Sequence, residues 1–106
     1  MTKYRAQPVT IDGIRFASKR EGNRYAELKL LVTANEIEAL ELQPSFNIEI
    51  GGVKVCRYVA DFAYTDRTTG ERIVEDVKSP PVRKNRAYRL KWKLMKAVHG
   101  IEVLET

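Results

Sequence analysis

The chain predicts an α/β domain in which a mixed β-sheet is flanked by helices, in the order ββ-α-β-β-β-α-β. Three observations carry this. Short runs alternating apolar and polar residues recur along the chain, two longer segments repeat apolar residues at helical spacing, and turns rich in Gly, Pro and Asp separate them. With 106 residues, a single domain spanning 1–106 with one modest core is expected.

The elements follow in order. Val9–Ile11 and Ile14–Phe16 flank Asp12-Gly13, the signal of a type I′ hairpin. Ser18 opens a helix reaching Ala34, in which Glu21, Tyr25, Leu28 and Val32 share the stripe that packs on the sheet. Ser18 and Glu21 are also spaced as a capping box, with Glu21 reaching back to the Ser18 amide. A short acidic stretch, Asn35–Glu41, leads to a strand at Leu42–Ile50 that Pro44 confines to an edge or a bent entry. Gln43 there reads as a polar edge residue, or as one that reaches the site described below. Gly51-Gly52 turns into a long strand, Val53–Tyr64. The loop Arg67-Thr68-Thr69-Gly70 joins it to Ile73–Lys78, where Pro80-Pro81 ends the strand. A basic helix and a last strand, Ile101–Leu104, complete the chain.

The hairpin loop concentrates charge. In Arg57–Tyr64, Tyr58, Ala60, Phe62 and Tyr64 fall on one face, and Val59, Asp61 and Ala63 on the other. In the next strand Ile73, Glu75 and Val77 share one face, and Val74, Asp76 and Lys78 the other. Closing the loop between Asp66 and Glu71 sets Asp61 directly opposite Asp76, with Cβ atoms about 4.5–5.5 Å apart. Carboxylates that close repel unless a positive charge lies between them. A divalent cation bound by Asp61 and Asp76 fits, with Lys78 on the same face. The competing reading is a surface salt bridge, and a loop of odd length would put the two acids on different faces.

Glu21 on a helix, Asp61 on a strand and Asp76-Val77-Lys78 on the next strand resemble, in identity and order, the PD-(D/E)XK nuclease superfamily. The stretches Ser18–Tyr25 with Leu28, Leu42–Phe46, Tyr58–Phe62 and Val74–Lys78 resemble in particular a group of small phage-borne nucleases. The likeness runs from Ile11 to Val103. Ala60 stands where that superfamily often has proline, and Asp76 where glutamate is commoner. The resemblance implies a restriction-endonuclease-like fold and a metal-dependent DNA endonuclease with Glu21, Asp61, Asp76 and Lys78 as catalytic residues. In such a site Mg²⁺ or Mn²⁺ neutralises the non-bridging phosphate oxygens and helps activate water. Asp61 and Asp76, with the Val77 carbonyl, supply the hard oxygen ligands these ions prefer. Lys78 orients water and stabilises developing charge, while Glu21 holds a water of the ion's shell or a second ion. The phage proteins imply structure-selective cutting of branched DNA, as in Holliday-junction resolution. Cutting both strands of a junction symmetrically needs two sites, hence a homodimer with two-fold symmetry. Two alternatives stand: a nicking or end-processing nuclease on duplex or flapped DNA, and a non-cleaving DNA-binding accessory protein.

Charge and composition agree. The net charge of +5 gathers in the last helix region, where Arg83, Lys84, Arg86, Arg89, Lys91, Lys93 and Lys96 occur with no acid. Arg83, Lys84, Arg86, Arg89 and Lys93 are the expected contacts to DNA phosphates, although such a stretch also reads as a plain solvated face. At this length DNA shape and backbone, more than bases, would be read. On the same helix Ala87, Leu90, Leu94 and Val98 are expected to face the sheet. Tyr88, Trp92 and Met95 form a second stripe, either widening the buried face or serving a dimer contact or base stacking. One cysteine (Cys56) and one histidine (His99) are too few for a structural zinc site or a nucleophilic triad. Cys56 reads as a small core residue and His99 as a helix-terminus residue. The polar Met1–Gln7 carries no signal-peptide pattern, and no run is long enough for a membrane span, so a cytoplasmic protein, in the host cell if phage-encoded, is expected.

Overall fold

The computed structural model describes residues 7–106; most of the polar segment expected as a tail lies outside the described residues. Strands β1 (Val9–Ile11) and β2 (Ile14–Phe16) form the expected hairpin, with Asp12 and Gly13 both at positive φ, 54° and 75°, as a type I′ turn requires. Helix α1 (Lys19–Thr33) starts where Ser18 Oγ accepts the Glu21 N–H at 3.1 Å. Only this half of the capping box forms. α1 buries Tyr25 and Leu28 as its stripe predicts, and Gly22 lets the hairpin dock. A Cβ at Gly22 would stand 2.5 Å from Val9 Cγ2.

Five strands follow where three were expected. β3 (Ile37–Leu42) occupies most of the acidic stretch, β4 is Ser45–Ile50 and β5 is Val53–Val59. β6 (Phe62–Asp66) and β7 (Arg72–Asp76) precede a one-turn helix α2 (Pro80–Arg83), helix α3 (Arg86–His99) and β8 (Leu104–Glu105). The main sheet has the order β3-β6-β7-β8, antiparallel except for the parallel β7–β8 pair. β4 and β5 form a separate hairpin. The fold is therefore mixed α/β, with more strands and one more helix than the sequence indicated. No helix among the described residues is long and apolar enough to cross a membrane.

Each departure has a local cause. β3 hides in the sequence because a bulge between Glu38 and Glu41, with Ala39 at φ 53°, interrupts its alternation, and glutamate is depleted in strands. Pro44 does not bend one strand but separates two. The expected strand Val53–Tyr64 breaks at Ala60-Asp61, where the chain leaves the β4–β5 hairpin and enters the main sheet. Backbone bonds hold this crossing: the Ala60 N–H donates to Pro44 O (3.0 Å) and the Gln43 N–H to Asp61 O (2.9 Å). Pro80 and Pro81 begin α2, as their missing N–H groups allow in a first turn, and Asn85 then caps α3. Gly100, at φ 69°, closes α3 with the paired backbone bonds of a left-handed cap, which shifts the last strand to Leu104–Glu105.

The main sheet separates two cores. On one face α1 and the β1–β2 hairpin pack on Phe62, Tyr64 and Ile37. On the other, α3 and the β4–β5 hairpin cover Ala63 and Val74, with Met95 and Ile48 fully buried. The buried face of α3 is centred on the second stripe, with Leu94 of the first packing beside it. Tyr88, Trp92 and Met95 point inward, and the Trp92 Nε1–H donates to Val103 O at 2.9 Å. Leu90 on the stripe expected to be buried is 60% exposed. Tyr88 and Trp92 pack, partly buried, against the core of their own chain, which is the widened buried face among the readings of this stripe.

Candidate functional site

The β6–β7 register is the expected one, with Phe62 facing Glu75 and Thr65 facing Arg72, and Asp66 N–H donates to Glu71 O across the loop. One residue beyond the last pair, Asp61 lies across from Asp76. The Asp61 N–H donates to Asp76 Oδ1 at 3.1 Å and to Glu75 O at 3.2 Å. Lys78 Nζ stands 3.8 Å from Asp76 Oδ1. Asp61, Asp76 and Lys78 thus meet as the register argument requires, although β7 stops at Asp76 and Lys78 lies two residues beyond it, not on the expected strand.

Asp76 is buried, 1% exposed, and well satisfied, since the Tyr58 hydroxyl donates to its Oδ2. The half-buried Asp61 accepts the Val77 N–H through Oδ2 at 2.7 Å. Burial, with Asp76 and Glu21 adding to it, pushes the Asp61 carboxyl up to about 7, against the Val77 N–H and Lys78. Glu21, on the first turn of α1, is raised chiefly by burial; Lys78 lowers it and Asp76 raises it. Three carboxylates therefore act on one another around a single lysine. The Tyr58 phenol is raised by burial and by the Asp76 carboxylate, so it remains a hydrogen-bond donor at neutral pH.

Does this set suit Mg²⁺ or Mn²⁺? Carboxylate oxygens with an excess of negative charge are the donor type such ions take. Among the described residues, however, no three Asp, Glu, His or Cys side chains gather closely enough to hold a metal ion. Asp76 turns its oxygens to Tyr58 and the Asp61 amide. The donor type fits such an ion, and Asp61 and Asp76 are the two carboxylates that meet here.

Tyr58 was expected on the face opposite Asp61. The break at Ala60-Asp61 flips the alternation, so Tyr58 joins the α3-side core while Phe62 and Tyr64 stay on the α1 side. Sequence reasoning also passed over Glu75, fully buried on the other face of β7. It accepts two bonds from the Arg24 guanidinium, one of them 3.0 Å from Arg24 Nη2 to Oε2, and one from the Tyr64 hydroxyl at 2.6 Å. An acid between Ile73 and Val77 on an apolar face was the available signal.

The basic residues divide. Arg83 Nε donates to Lys78 O at 2.8 Å, bracing the turn after the site. Arg89 lies over Trp92, 4.6 Å from the ring centre, and pairs with Glu105 at 3.4 Å. It ties β8 to α3, and much of its guanidinium is engaged there. Lys84, Arg86 and Lys93 are exposed without a carboxylate partner among the described residues. His99 ends α3, its Nε2 2.8 Å from Asn47 O, and Cys56 is half-buried at the edge of the α3-side core.

A cavity of about 340 Å³ opens beside the site, between β5 and α3, and Asp76 and Lys78 form part of its wall. A larger one, about 760 Å³, lies away from the acids, along Ile73, Arg83 and Gly100–Glu105.

A mixed α/β domain carrying an acid-rich site with one lysine is the class these observations define. Within that class the chain belongs to the family described as "Protein of unknown function (DUF1064)", which matches residues 1–101. No curated protein and no solved structure matches it.

Proposed function

We propose that the protein is a metal-dependent DNA endonuclease of the restriction-endonuclease-like kind, selective for branched DNA in phage recombination or replication. One observation carries the reading: Glu21, Asp61, Asp76 and Lys78, drawn from α1, the entry to β6, the end of β7 and the segment just beyond it, act on one another in a half-buried site whose acids outnumber its base. Mg²⁺ or Mn²⁺ held by Asp61 and Asp76 would supply charge neutralisation at the phosphate and a more acidic attacking water. The rest falls to side chains. Lys78 stabilises charge on the phosphate and orients the water, and Glu21, whose carboxyl burial raises above its ordinary value, holds a water of the ion's shell. The Tyr58 hydroxyl and the Asp61 amide fix the Asp76 carboxylate; the Val77 amide fixes that of Asp61.

Lys84, Arg86 and Lys93 supply phosphate contacts, and two copies of the chain, placed for paired cuts in the cytoplasm where DNA is processed, complete the proposal. The close satisfaction of Asp76 by protein donors favours one second reading, a DNA-binding accessory protein that does not cut. Purified protein incubated with labelled four-way, flapped and linear duplex DNA, with and without Mg²⁺ or Mn²⁺, decides between them. Ion-dependent cutting of the four-way substrate supports resolution, and cutting of flapped or linear DNA alone points to nicking or end processing. Tight binding without cutting under any divalent ion leaves the accessory reading.

A further inference from the structure

The cavity between β5 and α3 has a composition that the nuclease reading does not use. Its wall includes Arg57 and Tyr58 from β5, Asp76 at the end of β7 and Lys78 just beyond it, and Tyr88 and Lys91 from α3. Lys78 and Asp76 face each other and largely cancel. Lys78 also stands over the Tyr88 ring, 5.7 Å from its centre. Arg57 and Lys91 have no carboxylate partner among the described residues, and Lys91 Nζ lies 3.4 Å from Arg57 O. Both tyrosine hydroxyls are already engaged, Tyr58 with Asp76 and Tyr88 with Glu105 at 2.8 Å; Tyr58 is buried, and the partly exposed Tyr88 ring offers the cavity carbon surface.

We propose that this cavity receives one unpaired nucleotide of the substrate strand, next to the bond that is cut, with Arg57 and Lys91 on its phosphate and the Tyr88 ring against its sugar or base. The inference rests on the nuclease reading and narrows its substrate. Two cations without a carboxylate partner beside an aromatic ring are the elements of single-strand binding, where charge tracks the backbone and rings pack on bases. Size selects for one nucleotide. About 340 Å³ lies at the small end of the roughly 300–1,000 Å³ of ligand pockets, the scale of a small molecule and not of a duplex. Because Asp76 and Lys78 are shared between cavity and site, a nucleotide seated there places its neighbouring phosphate at the acids. Strands that can leave the helix, at a branch or a flap, would enter; fully paired linear DNA would not. Arg57 and Lys91 are thereby positioning and specificity residues, not catalytic ones.

The test uses the full chain carrying Asp61→Asn, so that DNA is bound without being cut. Affinities for a duplex with a single-stranded arm and for a matched linear duplex are measured by fluorescence anisotropy across a salt series. Arg57→Ala and Lys91→Ala are added singly, with Lys54→Ala as a charge-matched control and Lys91→Arg as rescue. Each alanine should weaken binding to the armed DNA about tenfold and lower its salt slope by about 0.7, the single-strand value for one phosphate. Linear duplex binding should stay unchanged. Thymidine 5′-monophosphate should shift the Tyr88 ring resonances in NMR spectra, and less so in the Lys91→Ala protein. Equal losses on both DNAs, no loss on either, or unmoved ring resonances would overturn the assignment. If the wild type cuts branched DNA while these variants bind normally, the nucleotide site falls and the nuclease stands. If no ion supports cutting but the armed DNA is still lost, the nuclease falls and the nucleotide site stands.

Discussion

Two acids adjacent in sequence, Glu75 and Asp76, are both shut away from water on β7, at 0% and 1% exposure, yet they live in opposite electrostatic worlds. Glu75 faces α1, where the Arg24 guanidinium grips both its oxygens and Tyr64 and Thr106 donate further bonds. Arg24, which also pairs with the exposed Glu27 at 2.9 Å, opposes its charge directly. Asp76, on the other face of β7, has like charge from Asp61 and from Glu21 at the start of α1, and Lys78, at 3.8 Å, opposes it. A buried charge that is paired and fully hydrogen-bonded costs little and locks a structure. One left in a like-charged group is a standing cost, and such costs persist where a ligand or a reaction uses them. On the proposed reading, the difference separates a structural acid from a functional one without reference to either's position in the chain.

The sharpest way to break the contrast is to neutralise each side in turn. Asp61→Asn and Asp76→Asn should abolish ion-dependent cleavage while urea unfolding shows the fold retained, because each removes a charge from an overcharged group. Arg24→Ala should do the reverse. It leaves the Glu75 carboxylate buried and unpaired, at a cost of about 3–5 kcal/mol, read as a lowered denaturation midpoint. Cleavage at the wild-type rate by either Asn variant would remove those residues from the site. An Arg24→Ala protein as stable as the wild type would show that Glu75 is not held as its bonds indicate.

Glu21→Gln separates two roles the sequence left entangled. Because the Glu21 carboxylate makes no return bond to the Ser18 amide, the cap depends on Ser18, whose Oγ accepts the Glu21 N–H. Ser18→Ala should therefore cost about 0.5–2 kcal/mol of stability with turnover nearly unchanged. Glu21→Gln should leave stability close to wild type and lower turnover by about 10²-fold or more. If the two variants exchange these effects, Glu21 is a capping residue after all.

How far the sequence discloses this contrast depends on how local each cue is. The Asp12-Gly13 turn, the α1 stripe and the Asp61–Asp76 register rest on short-range periodicity and loop closure, and all three are legible. β3 is not, because its bulge erases the alternation that would reveal it. Tyr58 is misplaced for the same kind of reason. Period-two reasoning assumes one continuous strand, whereas the chain changes sheets at Ala60-Asp61, and a one-residue break exchanges the faces. The partner of Glu75 lies 51 residues away at Arg24, a pairing that tertiary packing alone creates. On α3 both stripes are apolar, and only the sheet's position decides in favour of Tyr88, Trp92 and Met95.

Proton linkage probes the overcharged side directly. The folded Asp61 carboxyl is pushed up to about 7, above the 3.8 of the free group, so between those values the folded state holds more protons than the unfolded one. Stability should then fall as pH rises from about 4 through 7, the direction opposite to that of an ion-paired acid. Below this window both states are protonated and the group contributes nothing; above it the full penalty of the buried charge is present. Urea midpoints measured from pH 4 to 8 in EDTA should show this fall in the wild type and a shallower one in Asp61→Asn. Adding Mg²⁺ should flatten the wild-type profile by favouring the ionised form. Identical profiles for wild type and variant would mean that Asp61 is not perturbed.

The smallest effect concerns the surface beyond both acids. Lys84 and Arg86 sit at the α2–α3 turn, exposed and free of carboxylate partners among the described residues, whereas Arg89 is occupied by Trp92 and Glu105. If exposed charge near the site carries phosphate binding, Lys84→Ala and Arg86→Ala should each lower the slope of log K against log[salt] by about 0.9 on duplex DNA. Arg89→Ala should change that slope less and instead reduce thermal stability, since β8 loses its tie to α3. The logic is the Glu75–Asp76 contrast transferred to bases: a charge already paired within the chain is structural, and an unpaired one is available to a ligand. A larger slope change for Arg89→Ala than for Arg86→Ala would show that pairing in the free protein does not predict which cations meet DNA.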